Sequence, residues 1–466
     1  MPTEPSLFVV APDEKYDDDG QIKRTGTWQT ASAHIITTVI GSGVLSLSWC
    51  FAQLGWIPGV VMLLLFSIVS MFTAILLSDC YRSPDRVYGT RNYTYMHAVK
   101  ANLGMFQYKL CGFAQYGVLI GITIGYTTTT AISMAAIQKS NCYHKHGHHA
   151  DCRVRNNPFM VIFAIIQIIL SQVPNFHKLS PLSIIAAIMS FMYSTIGIGL
   201  SISKIVGEGV GKTSLVRRPF GNGVNGSDSM WKIFSALGDI AFAFSFTFVL
   251  IEIQDTLKSS PPENETMKKA TTVGISASTV FYMLCGALGY AAFGHDAPGN
   301  FLTGFGFFDP FWLVDLANIC IVVHLLGAYQ VLAQPFFGFI DDRSRTRWPQ
   351  STLITKNYSL GGLEINLFRL IWRTSYVILV TIIAMIFPFF NDFVGLLGAC
   401  TFWPLTVYFP IEMYISQAKI RKFSSTWFAM QLISVACLIV SLVAAAGSTR
   451  GLVTSVQIFE PFQSVS

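Results

Sequence analysis

Apolar runs of about 20 residues, each long enough to cross a bilayer core of roughly 30 Å, recur along almost the whole chain. Only helices and closed barrels satisfy their backbone groups in lipid, and runs of this length and continuity read as helices. About eleven spans follow: Thr30–Leu54, Ile57–Ser78, Phe106–Ile137, Pro158–Val173, Leu182–Lys204, Met230–Ile253, Ala270–Phe293, Phe311–Ile340, Leu367–Phe387, Phe393–Tyr408 and Trp427–Ala446. The expected fold is an all-α polytopic membrane protein. Charged residues make up 12% of the chain and the mean hydropathy is +0.51, far from a soluble protein of this size. The net charge of +6 is spread over loops rather than gathered in one patch, which excludes nucleic acid as a partner.

Lysine and arginine orient the bundle. With the N-terminus in the cytoplasm, most of the 31 cations fall inside, among them Arg343, Arg345, Arg347, Lys419, Arg421 and Lys422. The odd span count then puts the C-terminus outside. No cleavable signal peptide is visible, and the polar stretch "APDEKYDDDGQIKRTG" reads as a disordered tail. "YTYMHAVKANLG" reads as an amphipathic helix at the interface. Of the sequons, only Asn225 falls outside. Cys142 and Cys152 bracket an outside loop where oxidation is permitted, and a disulfide is expected there. The histidines of that loop, His144, His146, His148 and His149, read as a solvated cluster; zinc binding is the alternative, and no metal site is expected.

Within the first span lies "VIGSGVLSLSW", where glycine weakens a helix by about 1 kcal/mol per residue. Two readings stand. Small residues permit close helix packing. Alternatively the helix breaks, and backbone N–H groups near Ile40, Gly41, Ser42, Gly43, Val44 and Leu45 face a carboxylate while freed carbonyls face an ammonium group. Gly41 and Gly43 would supply dihedral freedom. Transporters built from inverted repeats carry a second broken helix in the corresponding span. That span is the sixth, and its candidate break is "FAFSF", Phe242, Ala243, Phe244, Ser245 and Phe246, with Phe244 and Phe246 as pocket walls or as ordinary packing. The boundaries become 1–29 for the cytoplasmic tail, 30–204 for the first five-helix repeat and 205–229 for an extracellular linker. Residues 230–410 form the second repeat and 411–466 the last loop, helix and outer C-terminus.

Ionisable side chains at membrane depth mark function by default. His34, about two turns before the glycines, and His324, mid-span, are candidate proton carriers or hydrogen-bonded core residues. Asp239 and Asp315 are placed near outer span ends, with Asp239 a further proton candidate. Glu252 and Asp255 share a helix face at the inner end of span six and read as inner-gate partners of Lys23 or Arg24, or as a solvated end facing the loop. Thr123 and Tyr126 of span three are candidate cavity residues.

The blocks "TGTWQTASAHIITTVIGSGVLSLSW", "SNCYHKHGHHADC", "LIEIQDTLKSSPPENETMKKA" and "GLLGACTFWPLTVYFPIEMYI" resemble plant amino acid permeases of the amino acid/auxin permease family, and the similarity runs from about Asp17 onward. The resemblance implies proton-coupled amino acid symport across the plasma membrane, with the proton as coupling ion and no cofactor. It also implies a fold similar to the leucine transporter, with spans one and six broken around the substrate. The family's clamp falls on Gly41, Ser42, Gly43 and Val44, its histidines on His34 and His324, and its "IEIQDT" block on Glu252 and Asp255. One departure stands out: the family often carries tyrosines in the span-six break, whereas this chain has "AFSFT".

The rival readings are a channel, a membrane-embedded enzyme and an amino-acid-sensing receptor of the same fold. The spans hold no histidine cluster of the kind an enzyme would need.

Overall fold

The computed structural model describes residues 16–147, 149–172, 180–217, 226–305, 311–360, 363–387 and 390–458. Asn225 and His148 lie outside them. Among the described residues, nine helices are long and apolar enough to cross a membrane, and a tenth span is a bent pair. The fourth expected span is a 14-residue apolar helix, Asn157–Leu170.

Span one consists of Trp28–Val39, a 3-10 turn Ser42–Ser46 and Leu47–Leu54, bent by 44°. Span two is Trp56–Asp79, and an interfacial helix Tyr95–Leu103 follows. Span three, Met105–His146, runs well past its expected end, so Cys142 sits in its last turn and not in a loop. The Cys142–Cys152 disulfide ties that turn to the segment leading into span four. Span five is Ser180–Glu208. Span six comprises Gly226–Ala243, a 3-10 turn Thr247–Val249 and Leu250–Gln254. The helices of spans five and six thus reach into both ends of the expected 205–229 linker.

Spans seven, eight and nine are Glu263–Phe293, Phe311–Arg347 and Leu367–Ile386. Span ten runs through Phe390–Thr401, a π-helical stretch Phe402–Tyr408 and Phe409–Gln417, so the boundary drawn at residue 410 cuts a continuous span. Span eleven is Ser425–Ile458. Two short hairpins, Arg82–Ser83 with Thr90–Arg91 and Asn357–Leu360 with Leu363–Asn366, lie between spans, as do a short helix, Thr352–Thr355, and two 3-10 turns, Gly294–Asp296 and Phe301–Phe305.

Span one packs on spans five and seven, span seven on span two, and the Gly226–Ala243 half of span six on spans ten and eleven. Span eight lies against spans three and five. The two broken spans therefore sit at the centre of the bundle. Close approach there depends on bare backbone: a Cβ on Gly398 of span ten would collide with the Gly238 carbonyl of span six.

Residues 16–27 do not behave as a free tail. Asp17, Asp19 and Asp255 surround Arg24 at 3.0, 2.9 and 2.9 Å, and Gly26 forms a parallel bridge with Leu257. An acidic, polar stretch would stay solvated in isolation. Here it folds because Arg82 and Arg91 of the first hairpin stand opposite its carboxylates.

Candidate substrate-binding site

Span one leaves helical geometry at Ile40 and Gly41, and span six leaves it at Phe244, Ser245 and Phe246. The two breaks touch. A Cβ on Gly43 would stand 3.1 Å from Ala243 Cα and 3.4 Å from a ring carbon of Phe242. Neither Gly41 nor Gly43 has a positive φ, so left-handed freedom is not what the site asks of them. Absence of a side chain is: a Cβ on Gly41 would sit 2.9 Å from the Tyr126 hydroxyl.

Freed carbonyls in a dry bundle each need a donor, since an unmatched one costs about 1–3 kcal/mol. Hydroxyls from spans two, five and seven, and one from span one itself, supply most of them. Ser190 Oγ donates to Ile40 O at 2.8 Å, and the Tyr193 hydroxyl reaches Ile40 O and Gly41 O, both at 3.0 Å. Tyr282 donates to Ala243 O at 3.0 Å and also reaches Val39 O. Ser70 Oγ donates to Phe244 O at 3.0 Å, and Ser46 Oγ to Gly43 O at 3.1 Å. The carbonyls expected to face an ammonium group thus already lie within hydrogen-bond reach of the protein's own hydroxyls, with the single protons of Tyr193 and Tyr282 each shared between two of them. Reading along the chain missed Ser70, Ser190, Tyr193 and Tyr282. Ser190 and Tyr193 stand three apart on one face of an apolar helix, which is the signal that could have found them.

The N–H side is different. Ser42 and Gly43 open a 3-10 turn, so their N–H groups lack partners within it, and no side chain caps it. Two buried side-chain atoms beside the break have no partner among the described residues: Ser42 Oγ and His324 Nε2. Nε2 lies 3.7 Å from the position of a Cβ on Gly41. The other ring nitrogen, Nδ1, is 3.0 Å from Ala186 O and 2.9 Å from Ser190 Oγ. A carbonyl only accepts, so Nδ1 carries the proton of the neutral ring and Nε2 is its basic atom. The span-one break thus carries N–H donors, a buried hydroxyl and, next to Gly41, a buried titratable nitrogen, groups suited to a carboxylate.

Val44 and Leu45 continue the 3-10 turn and are buried. Phe244 packs edge-on to Tyr282 with ring centres 5.2 Å apart, and Phe246 is fully buried. Ser245 bonds back to Ala241 O at 2.7 Å.

Other expected residues are placed elsewhere. Thr123 turns to span nine, bonding the Tyr376 hydroxyl at 2.8 Å, because its face of span three packs there. His34 stands seven residues before Gly41, on the order of 10 Å along the helix, so the two histidines are not side by side. Asp239 is not near the outer end of its span. The helix begins at Gly226, which leaves Asp239 fully buried about one turn before the break, its Oδ2 3.9 Å from Cys50 Sγ.

Glu252 and Asp255 part company. Asp255 meets Arg24 and the Tyr81 hydroxyl, at 2.9 and 2.7 Å. Glu252 instead accepts from Tyr95 N at 3.1 Å and Gln115 Nε2 at 3.0 Å. Tyr95 opens the interfacial helix, and a carboxylate is favoured at such an end. Outside the spans, burial pushes Asp18 and Asp19 up, but the guanidiniums of Arg82, Arg24 and Arg91 outweigh it and hold both below the ordinary 3.8.

A family model described as "Transmembrane amino acid transporter protein" matches residues 24–454. The chain belongs to that family. Within this transmembrane amino acid transporter family, amino acid permease 6 of Arabidopsis thaliana is 60% identical over 458 residues, 97% of this chain and 95% of that protein. Amino acid permease 1 of the same plant is 58% identical over 462 residues, 98% and 95% of the two chains. The relatives are named as permeases, which are transporters rather than enzymes. Among solved structures, MhsT in complex with L-phenylalanine matches with a TM-score of 0.57 at 11% identity, covering 92% of this chain and 100% of that one. That likeness concerns the fold, which is leucine-transporter-like.

Proposed function

We propose that this family member is a proton-coupled amino acid symporter of the plasma membrane. Its N-terminus faces the cytoplasm, its C-terminus faces outward, and it imports amino acids by alternating access. Family membership supports amino acid transport itself. The observation that carries the coupling is the position of His324: its basic Nε2 faces the span-one break, and its Nδ1 is joined through Ser190 to the Ile40 carbonyl. A proton on Nε2 places a positive charge beside the N–H groups that receive the carboxylate. Proton and substrate then bind better together than apart, which is the thermodynamic content of symport. Arg24 and its three carboxylates close the inner end in this state, and opening requires that cluster to part. The missing hydroxyls at Phe244 and Phe246 make the side-chain end of the site more apolar. Counterflow of labelled amino acid in proteoliposomes tests transport. Accumulation that follows an imposed pH gradient tests coupling, and counterflow without gradient-driven accumulation would overturn the proton assignment.

A further inference from the structure

The inner face of the molecule carries a cluster larger than a single gate pair. Asp17, Asp18, Asp19, Asp255 and Glu263 meet Arg24, Arg82 and Arg91. The three guanidiniums are almost entirely buried, with side-chain exposures of 3%, 5% and 1%. Five carboxylates against three guanidiniums leave an excess of two negative charges. Residues 16–26 form a strap held to the inner half of span six by this network and by Gly26 N on Thr256 O at 2.9 Å.

Two exposed hydroxyls touch the network from solvent: Tyr93, which donates to Asp19 Oδ2 at 3.3 Å, and Ser259. Ser259, in the turn between spans six and seven, accepts from Arg91 Nη2 at 2.9 Å and lies 3.4 Å from Asp17 Oδ1. Pro261 and Pro262 follow closely, before the helix of span seven begins at Glu263. Lys258 beside it is also exposed.

We infer that Ser259 is a phosphorylation site whose modification releases the strap. Ser259 Oγ attacks the terminal phosphorus of a nucleoside triphosphate, supplied with a protein kinase. The new O–P bond forms, the bond to the leaving diphosphate breaks, and the hydroxyl proton passes to the kinase's base. The product adds about 1.5 to 2 negative charges to a cluster already in acidic excess. It repels Asp17 and draws Arg91 away from Asp19, and both effects loosen the strap. Lys258 gives the phosphate a cation on the solvent side. The inference rests on the cytoplasmic placement of the strap proposed above.

The test uses the full chain carrying genetically encoded phosphoserine at 259, compared with the wild type, Ser259→Ala and Ser259→Lys. Amide exchange of the 16–27 peptide in detergent reports strap opening whatever the membrane orientation. Exchange is expected to rise about tenfold with phosphoserine, to stay within about twofold for Ser259→Ala and to slow for Ser259→Lys. Equal exchange in phosphoserine and Ser259→Ala proteins overturns the inference. So does the absence of phosphate on Ser259 after incubation with plant cytosolic extract and ATP. A tag on the N-terminus exposed to external protease in intact cells would instead defeat the topology, and a loosened strap in a chain without counterflow would defeat the transport reading.

Discussion

Ser190 stands between His324 and the carbonyl of Ile40, its Oγ 2.9 Å from Nδ1 and 2.8 Å from the carbonyl oxygen. A titratable ring on span eight is thereby joined through one hydroxyl to the irregular backbone of span one. Glutamine at position 324 keeps a donor for Ala186 but cannot take up a proton. His324→Gln is expected to lower gradient-driven accumulation at least tenfold, equivalent to about 1.4 kcal/mol, while counterflow persists. His34→Gln, two turns from the break, is expected to have a smaller effect. Uptake by the two purified variants under the same pH gradient checks the order.

The two glycines are expected to fail differently. Gly41→Ala drives a methyl into the Tyr126 hydroxyl, and Gly43→Ala drives one against the Ala243 backbone. Overpacking of this kind costs about 1–3 kcal/mol, so uptake at low substrate should drop roughly tenfold or more in each. Tyr126→Phe removes the clashing oxygen and should restore much of the Gly41→Ala loss. It should leave Gly43→Ala unchanged, because the obstacle there is main chain. Initial uptake rates for the two double variants decide this.

Arg24→Ala leaves Asp17, Asp19 and Asp255 facing one another, whereas Asp255→Asn leaves Arg24 with two carboxylates. Removing one partner of a buried pair costs about 3–5 kcal/mol when the remaining charge is stranded. The arginine variant is expected to lose much more thermal stability in detergent than the asparagine variant. Comparable melting shifts would mean that the pairs contribute little.

The strap is expected to be insensitive to pH across the cellular range. Asp18 and Asp19 have folded-state pKa values below the ordinary 3.8, so their contribution is complete above that value and is lost as pH falls through and beneath it. Arg24 is raised: burial opposes its charge, but Asp19, Asp255 and Asp17 more than offset that. Exchange of the 16–27 peptide, corrected for intrinsic rates, should therefore match between about pH 5.5 and 7.5 and accelerate only in strong acid. A change near neutrality would assign the latch to a different group.

The spans, their order and the positions of both interruptions were readable along the chain. Hydropathy is a local sum over a run of residues, "IGSG" weakens a helix through its glycines, and "FAFSF" was picked out by its correspondence with span one in an inverted repeat. The helix ends of span three and span ten were not readable, because hydropathy marks only the apolar run, whereas the hydrogen-bonded helix continues into the more polar residues Lys139–His146 and Ile411–Gln417.

Partnership was decided only by the fold. Thr123 and Tyr126 lie on the same helix, yet one bonds Tyr376 and the other meets Gly41. Glu252 and Asp255 lie within a turn of each other, yet one docks the interfacial helix and the other holds Arg24. The acidic segment at 17–19 becomes a strap only because two arginines more than sixty residues later stand opposite it. Periodicity along a helix says which residues share a face. Which neighbour that face meets depends on the lateral packing of spans far apart in the chain, and only the assembled bundle contains that information.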